Sequence, residues 1–377
     1  MLLKSIRLKN ILSFRDASLE LRPLNVLIGP NAVGKSNLID VIGLLKAAPT
    51  NLNTAIVSGG NADAWISKTK DAPVEATLEC VTEEPSARYE LQFTASERVF
   101  LIQREKLEKP LAVGRRKSSK HQVYFDRQGA SFSSDGSKSE VSSNQSVFSM
   151  FKRPDDPTPI TRLGREFERI RIYTDFNTGP KSQPRGGVSS SLSGEALDED
   201  GSNLAMVLHR MYVNGSDDRV KDFLKELNAN FEDIRIPVDG GIARIQLIER
   251  NLTAGIPGTR LSDGTLKFLC LLVALLNFGG SSLICIEEPE LGLHPDALRL
   301  VAKALGEVSA RTQVIVTTHS TDLIDALSPT PEAVVVCERD SDGGTRFRRL
   351  TQNKLELWLK RYSLGELWRK GEIGGNP

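Results

Sequence analysis

The sequence predicts an α/β fold, and three observations carry that prediction. The last third alternates helix and strand: an apolar helix opens at Ser262, followed by "LICIEE", a helix from Pro295, "QVIVTTH", another helix and "AVVVCE". Parallel strands need long crossover connections, so this alternation reads as a parallel sheet covered by helices. Near the other end, "GPNAVGKS" (Gly29–Ser36) stands between the strand "LNVLI" and a helix from Lys35 to Lys46. Between the two ends lie β-type runs without that alternation, which adds a mixed β-sheet to the parallel core. The chain thus begins and ends in one core and carries an inserted middle segment.

In chain order, "LKSIRLKN", "ASLELR" and "LNVLIG" read as strands, and "VEATLECV", "YELQFTA" and "RVFLIQ" as three more. A polar stretch from Lys109 to Asn144, rich in Ser, Lys, Arg and Gly, reads as a flexible excursion. Structure resumes at "REFERIRIYTDF", and a second loose segment (179–201) leads to helices near Asn203–Val213 and Asp218–Ala229. A strand pair, "DIRIPV" and "ARIQLIE", precedes the Ser262 helix. The expected organisation is a core of residues 1–50 and 260–377, a β-rich part of that core at 51–108, and an inserted segment at 109–259.

Composition narrows the class. Apolar content of 39% and charged content of 26% are those of a globular protein, and a net charge of +1 excludes a uniformly basic nucleic-acid coat. "MLLKSIRLKNILSF" mixes Lys and Arg among its apolar residues and is not a signal peptide. The longest apolar run, Phe268–Phe278, suits a buried helix better than a membrane span, so the expected location is the cytoplasm, with no membrane partner. Cys80, Cys270, Cys285 and Cys337 stand singly in apolar runs and read as small core residues.

Gly29–Ser36 matches G-x-x-x-x-G-K-S in the strand–loop–helix context that motif requires. Glycines let the backbone close around phosphates, and the N–H groups of Gly29, Asn31, Ala32, Val33, Gly34 and the following helix, through Asn37, supply donors; Pro30 belongs to the same loop. Lys35 has the reach for the β- and γ-phosphates of ATP, and the Ser36 hydroxyl is a ligand for Mg²⁺.

"LICIEEPELGLHP" places Glu287 and Glu288 at the carboxyl end of a strand, the edge where open α/β sheets collect ligands. In a P-loop enzyme the first acid, Glu287, serves the Mg²⁺ shell, and the second, Glu288, orients and deprotonates the attacking water. The bland reading is a solvated acidic turn, weakened by the four apolar residues before the pair. Glu290 reads as structural. His319 ends the strand "VIVTTHS" and gains a role only from standing beside the acidic strand, as a hydrogen-bond donor to a γ-phosphate. His121 and His209 read as ordinary residues. At Ser262-Asp263-Gly264 the apolar helix begins with an end able to face an anion.

The order P-loop, Ser-Asp-Gly helix, Glu-Glu strand, His strand end resembles the ABC-type ATPase superfamily in its SMC/RecF branch. It is most similar to OLD-like ATPases of the AAA family without a Toprim nuclease domain. The motifs "GPNAVGKSNLID", "RLSDGTLKFL", "ICIEEPELGLHP" and "VIVTTHSTDLID", with "LGELWRKGEIGGNP" at the end, carry the likeness. It implies an ABC-type ATPase head with Gly29, Asn31, Gly34, Lys35 and Ser36 on Walker A positions. Ser262, Asp263 and Gly264 fall on the signature loop, Glu287 on the Walker B acid, Glu288 on the catalytic glutamate and His319 on the switch histidine. Leu291–His294 falls on the D-loop. The chain departs from the pattern at Ala32 and Val33, at Glu287 where aspartate is usual, and at His294 where transporters carry aspartate. No glutamine is assigned to the Q-loop, Gln92 being only a guess.

The resemblance implies an ATP-hydrolysing head-to-tail homodimer around two ATP–Mg²⁺ sites, acting in DNA repair or anti-phage defence with DNA or a separate nuclease or effector protein. An ATP-switched scaffold without turnover and a transporter-type subunit are the other readings. Asp340-Ser341-Asp342 raises a built-in Toprim nuclease, but "DSDGG" between two β-type runs reads as a hairpin turn. Fewer than forty residues follow, so any nuclease is expected on a separate chain. The basic run Arg104–Lys120 and the cluster Arg162, Arg165, Arg169, Arg171 suit contact with DNA phosphates or an ordinary solvated face equally well.

Overall fold

A computed structural model of the chain describes residues 1–68, 73–96, 99–110, 122–134, 137–150, 156–277 and 279–374. The chain divides into two compact units: Met1–Ile170 with Glu332–Thr351 and Gly371–Pro377, and Arg171–Pro331 with Gln352–Lys370. Residues 1–50 and 260–377, grouped as one core from the sequence, are distributed over both units.

The first unit holds an eight-stranded sheet of β1 (Leu3–Ile11), β2 (Phe14–Glu20), β4 (Glu75–Thr82), β5 (Ala87–Ser96), β6 (Val99–Glu108), β7 (Val123–Gln128), β8 (Ser131–Ser134) and β9 (Ser137–Glu140), in the order β2-β1-β4-β5-β6-β7-β8-β9. Every pairing is antiparallel. Alternation sets its buried face: Ala76, Leu78 and Cys80 on β4 and Tyr89, Leu91 and Phe93 on β5 are buried, with more polar neighbours between them.

Strands β7–β9 correct the expectation that Lys109–Asn144 is a flexible excursion. Residues 111–121 lie outside the described residues, but 123–134 and 137–140 extend the sheet. The pattern was hidden because one inward residue is an arginine: Phe125, Arg127 and Phe132 are all buried. Burying Arg127 requires an acid, and Glu105 on β6 supplies it, with both side chains fully buried and Arg127 Nη1 3.6 Å from Glu105 Oε2. Tyr89 Oη (2.9 Å), Ser146 Oγ (2.5 Å) and the Val147 N–H (2.9 Å) also donate to Glu105. Arg127 donates to the carbonyls of Gly129, Ser142 and Gln145. The pair is thus saturated with partners, the condition for tolerating buried charge.

The same unit contains β3 (Leu24–Ile28), all five residues buried, running parallel to Val334–Arg339 with Val26 opposite Val334 and Ile28 opposite Val336. Val334–Arg339 turns back into Thr345–Arg349 as an antiparallel hairpin. Helix α1 (Lys35–Ala47) follows β3 and buries Leu38, Ile39, Val41, Ile42, Leu44 and Leu45.

In the second unit, Leu283–Glu287 and Gln313–Thr317 form a parallel pair joined by the helix Pro295–Ser309, with Glu287 directly opposite Thr317. The helix Asp263–Leu276 buries every residue from Phe268 to Leu275 and packs against helices Leu204–Val213, Asp218–Leu227 and Pro295–Ser309. The predicted strand pair is present as Phe231–Arg235 and Gln246–Glu249. All four cysteines are buried and unbridged, and burial pushes the Cys80 and Cys337 thiols up to about 12, which suits packing residues. No helix among the described residues is long and apolar enough to cross a membrane.

Candidate nucleotide site

The residues expected at a nucleotide are divided between the units: Gly29–Asn37 in the first, and Ser262–Gly264, Glu287, Glu288 and His319 in the second.

In the first unit, the loop leaves the carboxyl end of β3 and enters α1 through Gly34, whose φ of 101° is a left-handed conformation. A Cβ at Gly34 would lie 2.3 Å from Ser13 Oγ, and one at Gly29 2.5 Å from the Cys337 carbonyl oxygen, so both positions require glycine for space. Ala32 also adopts a positive φ, 58°. No side chain caps α1, which leaves its first-turn N–H groups for an anion. The buried Lys35 ammonium folds over the loop and donates to the carbonyls of Gly29 (2.8 Å) and Pro30 (3.0 Å). Ser36 is exposed, whereas the Asn37 side chain donates to Ser13 Oγ (2.8 Å), leaving its backbone N–H as the group for a ligand.

In the second unit the acidic strand ends in a strained turn. Glu288 has φ 44°, unusual for a residue with a side chain, and its N–H donates to the Thr317 carbonyl at 2.9 Å. That bond ties the turn to the neighbouring strand and brings Glu288 Oε1 within 3.7 Å of His319 Nε2. Both side chains are half-buried, at 32% and 26% exposure, so they reach solvent and ligand. Glu290 closes the arrangement: its carboxylate accepts from Thr318 Oγ1 (2.9 Å) and from the His319 N–H (2.5 Å). Its expected structural role is therefore visible as a clamp on the strand end that carries His319.

Glu287 and Glu288 line a cavity of about 20 Å³, room for about one water molecule, together with Tyr173, Asp175, Lys267 and Leu291. Lys267 belongs to the Ser-Asp-Gly helix and pairs with Asp175 at 3.2 Å, so that helix and the acidic turn share one cavity wall. A Cβ at Gly264 would lie 2.9 Å from the Gly292 carbonyl oxygen, which fixes the helix start against the turn after the acids.

The Ser-Asp-Gly start differs from α1. Ser262 Oγ accepts from the Thr265 N–H (3.1 Å), so this helix end is capped from within its own chain. Asp263 is paired with Arg185, whose guanidinium also donates to the Leu261 carbonyl at 2.6 Å. That pairing neutralises an acid that would otherwise repel an anion. His294 caps the Pro295 helix through Nδ1, accepting from the Asp296 N–H (3.3 Å), which explains a histidine at this position.

Sequence reading missed Asp175, Lys267, Arg185 and Thr317, and in the first unit Ser13, Arg339 and Thr345. Each acts through a contact distant in sequence and lacks a local motif. The Asp340–Asp342 pair is a turn, as expected: Asp340 Oδ1 accepts from the N–H groups of Asp342 (3.0 Å) and Gly344 (2.7 Å), and Asp342 pairs with Arg15 (3.0 Å). Part of the basic run is neutralised, since Arg104 lies 3.3 Å from Asp126 and Lys106 pairs with Glu108. The run's residues from Arg115 to Lys120, and His121, lie outside the described residues. No group of three or more His, Cys, Asp or Glu among the described residues is placed to cage a metal ion.

A family model described as "AAA domain, putative AbiEii toxin, Type IV TA system" matches residues 24–325. The chain belongs to that family. It is also 40% identical over 81 residues to the Old nuclease of Escherichia phage P2, a match covering 21% of this chain and 13% of that relative's length. The fold is that of SMC heads. The SMC head bound to the C-winged helix domain of ScpA has a TM-score of 0.56 at 12% identity, covering 94% of this chain and 99% of that one. The SMC head with an extended coiled coil bound to the C-terminal domain of ScpA, from Pyrococcus furiosus, has a TM-score of 0.54 at 14% identity, covering 95% and 98%. The chain therefore combines membership of that AAA-domain family with the fold of an SMC head.

Proposed function

We propose that this AAA-family head binds and hydrolyses ATP with Mg²⁺ and dimerises head-to-tail around two such sites. The observation that carries the reading is the uncapped, glycine-entered start of α1 with Lys35 folded over the loop before it, an arrangement of donors and positive charge suited to phosphates. In this reading Gly29, Pro30, Asn31, Ala32, Val33, Gly34, Lys35, Ser36 and Asn37 hold the nucleotide, and Ser36 and Glu287 serve the metal. The oxygen donors of Ser36 and Glu287 suit a hard cation such as Mg²⁺, which when bound would supply charge neutralisation at the phosphates.

Hydrolysis rests on the acidic turn. Glu288 takes a proton from the attacking water as that water adds to the γ-phosphorus and ADP leaves. His319, 3.7 Å away, donates a hydrogen bond to the phosphoryl oxygens. Ser262, Asp263 and Gly264 form the second half of the site: their helix end faces the γ-phosphate bound by the other copy, with Arg185 masking the Asp263 charge. The stretch shared with the Old nuclease supports a place in DNA repair or anti-phage defence, with DNA or a separate nuclease or effector as partner. The reading includes a cytoplasmic location.

Native mass measurement with and without ATP–Mg²⁺, alone and after co-expression with the neighbouring gene, tests the reading. A mass that doubles with ATP and phosphate release in solution are the expected results; a monomer at saturating ATP removes the dimer. If DNA is bound through phosphates, affinity falls steeply with added salt, and a flat response removes DNA as a partner.

A further inference from the structure

The turn that looked like a nuclease motif lies against the phosphate loop. Arg339, at the end of its first strand, donates through Nη2 to the Ala32 carbonyl (2.7 Å) and through Nη1 to the Gly343 carbonyl (2.9 Å). Its guanidinium therefore bridges loop and turn. Thr345, at the start of the second strand and 3% exposed, donates through Oγ1 to the Val33 carbonyl (2.5 Å). Thr345 Oγ1 also lies 2.7 Å from Ser13 Oγ, and the Thr345 N–H donates to the Ser13 carbonyl at 2.9 Å. A hydroxyl has one proton to give, so with Thr345 committed to Val33, Ser13 donates to Thr345 and accepts from Asn37. The result is a directional chain, Asn37 to Ser13 to Thr345 to the Val33 carbonyl.

We propose that the 339–345 turn is a latch that sets the phosphate-binding conformation of the Gly29–Ser36 loop, with Thr345 and Arg339 as its positioning residues. The inference rests on the nucleotide reading above and deepens it. A trans peptide group is planar, with its carbonyl and the following N–H pointing in opposite directions. Holding the Ala32 and Val33 carbonyls toward the hairpin turns the Val33 and Gly34 N–H groups the other way, as donors for an anion in the loop. Both groups flank the positive-φ residues Ala32 and Gly34, a conformation the loop would leave readily if its carbonyls were released. The turn is itself braced by Asp340 and by the Asp342–Arg15 pair, so the carboxylates of the Asp-Ser-Asp sequence serve the latch.

Titration calorimetry of ATP and of inorganic pyrophosphate into the full chain, with thermal melts alongside, tests the latch in wild type, Thr345→Val, Thr345→Ser and Arg339→Ala. Thr345→Val and Arg339→Ala are expected to weaken both ligands about tenfold, since each loses a hydrogen bond that orients an anion donor. Thr345→Ser, which keeps the hydroxyl, restores affinity to within about twofold, a rescue that lost packing alone would not show. Wild-type affinity in both Thr345→Val and Arg339→Ala overturns the proposal, as does equal weakening by Ser and Val at position 345. If Thr345→Val does not fold, the exposed Arg339→Ala decides alone, and unchanged affinity there overturns it. A wild type that binds neither ligand removes the nucleotide reading itself, a failure visible before any variant is made.

Discussion

Glu288 and His319 face each other at the ends of two parallel strands, with Oε1 3.7 Å from Nε2, and the Glu288 backbone is held at φ 44° to bring them there. The register explains the meeting: Glu287 is opposite Thr317, so the next residue on one strand reaches the second after Thr317 on the other. Glu288→Gln keeps shape and removes the proton acceptor. Turnover is expected to fall about 10²-fold or more while ATP binding persists and the dimer accumulates. Phosphate release and native mass measure both, and unchanged turnover would place the base elsewhere.

Glu290 touches no proposed reacting atom, yet it holds Thr318 and the His319 N–H. Glu290→Ala leaves two donors without their acceptor, at a cost of about 1–3 kcal/mol each where they are buried. The expected result is turnover reduced about tenfold, with ATP affinity close to wild type because the phosphate loop is intact. Steady-state kinetics beside equilibrium ATP binding separate the two; parallel loss of both would make Glu290 a general stability residue.

Ser262 caps its helix at an exposed position. Ser262→Arg removes the cap, costing about 1 kcal/mol, and places a long side chain where the second copy's nucleotide is proposed to dock. Loss of the ATP-dependent dimer and of turnover is expected, with nucleotide binding kept in the monomer. Normal hydrolysis in this variant would sink the composite site.

Glu105 and Arg127 predict stability instead of activity. Glu105→Ala leaves the Arg127 charge buried without its acid, which costs about 3–5 kcal/mol. Replacing both residues by apolar ones of similar size is expected to cost far less than that. Chemical unfolding of the single and double variants distinguishes a buried ion pair from simple packing.

Hydrogen bonding from Arg348, with help from Arg346, holds the Glu338 carboxyl below its usual range. A carboxyl depressed in the folded state contributes stability above its ordinary titration range and loses it as pH falls through the folded value. Acid should therefore weaken the 334–349 hairpin as pH falls below the ordinary glutamate range. Glu338→Gln is expected to be less stable near neutrality and to show a flatter acid limb. Urea midpoints across the acid range check this, and an unchanged slope would assign the acid limb to other carboxylates.

Elements whose pattern is local are legible in the chain alone. β-type runs marked β4, β5 and β6, the apolar strand "LNVLI" before Gly29–Ser36 placed the loop, and the four apolar residues before Glu287 placed the acidic pair at a strand end. Tertiary structure decided whatever depends on partners far along the chain. Strands β7–β9 form from a stretch that reads as loose because Arg127 can be buried only against Glu105, which no local rule anticipates. Arg339 and Thr345 lie about three hundred positions from the carbonyls they hold, so nothing near the phosphate loop announces them. A local pattern records which face of an element is apolar, because backbone geometry repeats every two or 3.6 residues. The direction of a carbonyl in a loop has no such period, and only the side chains packed against it set it.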